Sequence, residues 1–120
     1  MPFVQALMAM GFRPVPLSGP PDVKVVDVGI QRTLEALADR PGDVVLSSHD
    51  ADFIPQLGPL VGGRRVGLLA FQEFVSNQYA DLIAGGLEVF DLEHDADSFT
   101  RPLPRLRIIP RDEFDPAAFL

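Results

Sequence analysis

Asp50 and Asp52 stand one residue apart at the end of an apolar run, in the stretch Asp43–Pro55, DVVLSSHDADFIP. Two carboxylates within ~4 Å of each other repel by roughly 4 kcal/mol at an effective dielectric near 20. A fold that brings them together usually holds a cation or a proton between them. A plainer use exists, because a carboxylate at a helix N-cap accepts orphan backbone N–H bonds, and one of the two would suffice for that. The spacing alone leaves both readings open. His49, directly before the pair, has the chemistry of an acid or base near neutral pH, or is simply a surface histidine. The tetrapeptide His49-Asp50-Ala51-Asp52 recurs as His94-Asp95-Ala96-Asp97. The second copy reads as a solvated acidic loop, with a second metal site or a contact between copies as the sharper alternatives. Neither histidine has another nitrogen or sulfur ligand at the spacing a zinc site needs.

The elements that must position these groups follow from periodicity. Val44, Val45 and Leu46 open a short buried strand, Val44–Ser47, of the kind found in parallel sheets. An apolar segment, Phe53–Leu60, reads as the next helix, so the aspartates fall at the carboxyl end of a strand, where ligands collect in open α/β sheets. Further strands are expected at Arg65–Phe71 and Leu87–Leu92. Between them lies a helix, Ser76–Ile83, with Ser76 as its N-cap. Upstream, Val23–Ala38 carries a helical stripe (Val26, Ile30, Leu34, Leu37), and Phe3–Met10 fits a short helix stopped by Gly11. Phe12–Leu17 holds Pro14 and Pro16, so it is an edge strand or irregular. Short Gly-rich turns between alternating strands and helices imply right-handed crossovers and a parallel sheet covered by helices.

A chain of 120 residues with 47% hydrophobic residues is long enough for one domain with a real core. We expect that domain over residues 1–92, followed by a Pro-rich, charged extension, 93–120, in which Leu106–Ile109 could add a strand. No apolar run approaches the roughly 18 residues of a membrane span, and the N-terminus lacks the features of a signal peptide. The absence of cysteine excludes disulfides and thiolate metal sites and fits a cytoplasmic protein. A net charge of −7 disfavours non-specific binding to phosphate backbones, so work on nucleic acid needs a metal or a local basic patch. Arg64 and Arg65, and Arg101, Arg105, Arg107 and Arg111 in the tail, are the available cations. The acidic residues around the tail arginines favour self-neutralisation over a phosphate track. No aromatic interleaving marks a stacking platform.

A longer pattern runs through these elements: Lys24-x-x-Asp27 opening a helix, Ser48-x-Asp50-x-Asp52-Phe53-x-Pro55, Gly63-x-x-Val66, then Ser76 and Ala80-Asp81. It resembles the NYN domain, LabA-like branch, of the PIN-like nuclease superfamily, over roughly Val23 to Leu92. The family pattern begins with a strand ending in an aspartate that has no counterpart here, so the resemblance implies an N-terminally truncated form. Thr33 stands where an acidic residue is common, and His49 where the family has glycine.

The resemblance implies a three-layer α/β/α sandwich with a mainly parallel sheet. It also implies a ribonuclease that hydrolyses RNA phosphodiester bonds with carboxylate-bound Mg²⁺ or Mn²⁺. On that reading Asp27, Asp50 and Asp52 are the catalytic and metal-holding residues, with Lys24, Ser48, His49 and Ser76 toward the substrate. The alternative is a catalytically inactive NYN-fold module that binds RNA or a protein partner. A phosphohydrolase or receiver-like domain is less well supported, because the matching nucleophile motif is missing. The missing first strand would leave an open sheet edge, which either the Leu106–Ile109 segment or a second copy of the chain, as a homodimer, would fill.

Overall fold

The computed structural model describes residues 2–106 and 108–120. In chain order it comprises helix α1 (Pro2–Ala9), helix α2 (Val25–Leu37), strand β1 (Val44–Leu46), helix α3 (Ile54–Leu57), strand β2 (Val66–Ala70), helix α4 (Ala80–Ala84) and strand β3 (Glu88–Asp91). The three strands form one parallel sheet in the order β1-β2-β3. Val44 is in register with Val66 and Leu46 with Leu68, while Leu68 continues to Val89. This is a mixed helix-and-strand chain built on a small parallel sheet, as the alternation of elements predicts.

Period-two alternation sorts the strand residues onto two faces. Val44, Val66 and Leu68 point to one face, where they pack with Leu34 of α2, Phe53, Leu57 of α3, Leu60, Tyr79 and Leu87. Leu82 of α4 packs against the same cluster. On the opposite face Val45 is 61% exposed. Gly67 lies there beneath the Phe90 ring, where a Cβ would come within 2.7 Å of the ring. Helices α2, α3 and α4 therefore meet one face of the sheet.

Local chemistry explains where elements differ from expectation. Phe53–Leu60 is broken into a 3₁₀ turn (Ala51–Phe53), the single turn of α3, and a second 3₁₀ turn (Gly58–Leu60). Pro59 has no N–H to continue an α-helical ladder, so the helix tightens instead of propagating. Ser76 caps its segment as expected, accepting from the Gln78 N–H at 3.2 Å. The segment begins as a 3₁₀ turn (Asn77–Tyr79) and then runs into α4. Gly86, at φ +120°, then turns the chain into β3 at low cost.

Phe12–Leu17 joins no ladder, and its two prolines account for that. The strand expected at Leu106–Ile109 does not form. Leu106 and Ile108 are 102% and 94% exposed, and Arg107 lies outside the described residues. The outer edge of β1 therefore pairs with no strand among the described residues.

The tail begins by folding back on the body. Phe99 stacks on Phe71 with ring centroids 5.9 Å apart, and the Leu103 N–H donates to Glu93 Oε2 at 2.6 Å. Arg105 bridges Glu73, at 3.0 Å, and Glu93. The Leu103 N–H, against partial desolvation and helped by Arg105, holds the Glu93 carboxyl below its ordinary range. This tail arginine is paired with carboxylates of its own chain, which supports self-neutralisation over a phosphate track. No helix among the described residues is long and apolar enough to cross a membrane.

Candidate metal centre

Asp27 sits in the first turn of α2, where its charge is favoured by the partial positive end of the helix. Asp50 and Asp52 lie in the loop that leaves β1. Although 23 residues separate Asp27 from Asp50 in sequence, one carboxylate oxygen from each of the three aspartates lies within 4.8 Å of the other two. Asp27 and Asp50 are half-buried and Asp52 is exposed.

The loop is built to present this geometry. Ser48 Oγ accepts from the Asp50 N–H at 3.1 Å, and Asp50 Oδ1 accepts from the Asp52 N–H at 2.9 Å. Asp50 therefore performs the capping role that its position predicts. Among the described residues the Asp52 side chain makes no cap bond. Behind the loop the Tyr79 hydroxyl donates to the Asp50 carbonyl. Gln31, one turn beyond Asp27 on α2, donates to the Asp52 carbonyl at 3.4 Å. Two elements thus hold the loop from behind by its backbone.

Tyr79 is fully buried, and its hydroxyl pKa is pushed up to about 12, chiefly by burial and then by the Asp50 and Asp52 charges. The neutral hydroxyl therefore keeps its bond across the neutral range. Its raised pKa contributes stability that is present below about pH 10 and lost as pH rises toward 12. Tyr79→Phe should cost about 1 kcal/mol of unfolding free energy, as expected for one lost hydrogen bond. If the carboxylates hold Mn²⁺, the loosened loop should also weaken that binding, read together as a denaturant midpoint and a metal titration. An unchanged titration would separate Tyr79 from the carboxylates.

The donor set fits a hard divalent cation. Three points no more than 4.8 Å apart lie at most about 2.8 Å from their centre. Mg²⁺–O distances are about 2.1 Å and Ca²⁺–O about 2.5 Å, so small side-chain rotations close the gap and leave positions for water. Among the described residues no lysine, arginine or histidine forms an ion pair with Asp27, Asp50 or Asp52. Among the described residues the charge is met by the start of α2 and by a backbone N–H, and by no ion-paired cation.

The other residues read from the sequence have more local roles. Lys24 is exposed immediately before α2 and makes no side-chain cap there. Ser48 shapes the carboxylate loop and Ser76 is spent as an N-cap. Thr33 donates back to the Gly29 carbonyl at 2.7 Å within α2. His49 turns toward Phe74, with ring centroids 6.1 Å apart. Phe74 in turn meets Phe71 edge-on at 6.1 Å, and Phe71 stacks on Phe99. This row of rings starts beside the carboxylates, and Phe74 is 60% exposed.

Sequence reasoning missed that row, together with Gln31 and Tyr79. Gln31 was accessible in principle, four residues after Asp27 on one helical face. Tyr79, the one tyrosine of the chain, carried the general expectation that a buried hydroxyl finds an acceptor. The second HDAD copy is not a mirror of the first. Its Asp95 accepts from the Asp91 N–H at 2.8 Å, and among the described residues it joins no metal-holding group.

Compared with models of known protein families, with curated proteins and with solved structures, the chain matches none.

Proposed function

We propose that this chain is a metal-dependent ribonuclease of NYN type, hydrolysing RNA phosphodiester bonds with Mg²⁺ or Mn²⁺ held by Asp27, Asp50 and Asp52. The observation that carries the reading is the convergence of those three carboxylates, from a helix start and a strand end, with no ion-paired cation among the described residues. They lie beyond the carboxyl end of a parallel strand, where α/β sheets place their chemistry. They are also the three positions that the resemblance to the NYN domain names. The full three-layer, PIN-like sandwich belongs to the same proposal, and it needs a second layer over Val45, Gly67 and Phe90.

When bound, such a metal supplies an activated water and stabilises charge on the scissile phosphate. The protein residues do the rest. Asp50 is fixed by its own cap bond and by Tyr79 behind it, so its carboxylate enters the site pre-oriented. Asp27 approaches from α2 and Asp52 from the solvent side. His49 is placed beside them and suits proton transfer to or from a leaving oxygen. The exposed face of Phe74 offers a surface on which an unpaired base can stack. Lys24, three residues before Asp27, is the cation that the resemblance assigns to a phosphate.

The test is cleavage of a labelled single-stranded RNA with Mn²⁺, comparing the chain with Asp50→Asn. Asparagine retains an oxygen for the cap bond and removes one charge, so the fold should survive. Cleavage that depends on Mn²⁺ and falls at least ~100-fold in the variant supports the nuclease. Equal cleavage by both proteins, or none by either, would leave the inactive binding module as the better reading.

A further inference from the structure

The N-terminal arm exposes apolar surface that its own body does not cover. Helix α1 has no buried residue, and Phe3, Met8, Met10 and Phe12 are 60–74% exposed. The arm meets α2 further along, where Leu17 packs so closely on Gly29 that a Cβ there would clash. Beside that contact runs an apolar groove of about 540 Å³, lined by Val15, Leu17, Val26, Ile30, Val45 and Leu46. It follows the unpaired edge of β1.

The magnitudes indicate how much is uncovered. The chain exposes 9587 Å², about 3,000 Å² more than the roughly 6,400 Å² of a compact 13.1 kDa monomer. Its radius of gyration is 18.6 Å, against about 13.6 Å for a compact chain of this length. A stable protein interface needs about 800 Å² from each partner. The arm and the C-terminal tail, with Leu106, Ile108 and Leu120 exposed, share that excess.

Charge selects the partner. All seventeen acidic residues fall at or after Asp22, and Arg13 is the one charged side chain among residues 2–21. Two copies of a −7 chain would repel through most faces but not through this one. With one cation, the arm offers little to an anionic lipid surface or to RNA.

We infer that the exposed start of the arm, α1 to Phe12, seats against the groove that Val15 and Leu17 form with α2 and β1 in a second copy, and the partner's in return, giving a two-fold dimer. Such an interface is isologous, each copy supplying both arm and groove. The inference is independent of the carboxylate site.

Sedimentation equilibrium of the full chain over a wide concentration range tests it, with Phe12→Glu in the arm and Val45→Lys at the groove. Both positions are exposed, so both variants should fold, which circular dichroism checks. The expected result is twice the 13.1 kDa chain mass for the parent, with each variant weakening dimerisation at least ~100-fold. Phe114→Glu, in the tail, should leave the dimer intact. A strict monomer overturns the inference, as does a dimer that the first two variants leave unchanged or that Phe114→Glu breaks equally. Monomer that floats with neutral phosphatidylcholine vesicles also overturns it and assigns the arm to a lipid surface.

Discussion

Asparagine in place of Asp52 is expected to raise the thermal midpoint of the metal-free protein and, on the proposed metal-holding role, to abolish the further rise expected of the parent chain in Mn²⁺. The two effects have opposite signs and one cause. Without metal, three carboxylates share a site with no ion-paired cation among the described residues, and removing one charge relieves that repulsion. The Asp52 side chain is exposed, and the loop bond at this position is made by its backbone N–H, so the substitution leaves the loop intact. With metal, the parent gains the free energy of binding to the folded state alone. At 100-fold excess over Kd that is about 2.7 kcal/mol. For a chain of 120 residues it corresponds to roughly 10 °C. Asp81→Asn, an exposed change in the first turn of α4, controls for general charge effects and should respond to Mn²⁺ as the parent does. A differential scan with and without Mn²⁺ reads all three proteins. If Asp52→Asn left both midpoints where they were, the aspartates would be capping groups and nothing more.

What the sequence made legible depended on how local the determining physics was. The ends of β1, β2, β3 and α2 lie within two residues of expectation, because aliphatic runs and glycine turns mark them directly. The carboxylate pair was visible as a pair, and its dual nature was visible too, since Asp50 does cap the turn it precedes. Asp27 entered only through the resemblance, as no spacing rule joins it to residues 23 positions away. The ring row was hidden for the same reason. His49, Phe71, Phe74 and Phe99 come from three separate loops, and only the sheet brings those loops to one end. What covers the second face of the sheet was not legible, because an apolar strand shows that burial is needed without showing what supplies it. Val45, open on the far face, is the residue where that difference surfaces.

Asp91, unremarked in the sequence, should prove the most costly single polar substitution in the chain. It ends β3 with 5% exposure, and its carboxylate accepts from three backbone N–H groups: Gln72 and His94 at 2.8 Å and Glu93 at 3.2 Å. One side chain thus closes the turn after β3 and ties it to the turn after β2, the end of the sheet where the ring row begins. Asp91→Ala strands all three donors in a place that water reaches poorly. The thermal midpoint at pH 7 should fall by roughly 10 °C or more. The pH dependence identifies the cause. The Gln72 N–H first, then that of His94, holds the Asp91 carboxyl below its ordinary range. Its stabilising effect is therefore complete above about pH 4 and is lost as pH falls through the lowered folded value. The gap between parent and variant should be widest near neutrality and should close in acid. Asp95→Ala removes an acceptor from one N–H only, that of Asp91, and should cost far less. A gap that stayed constant from pH 7 to strong acid would show that the loss came from packing, with the carboxylate's three bonds contributing nothing to it.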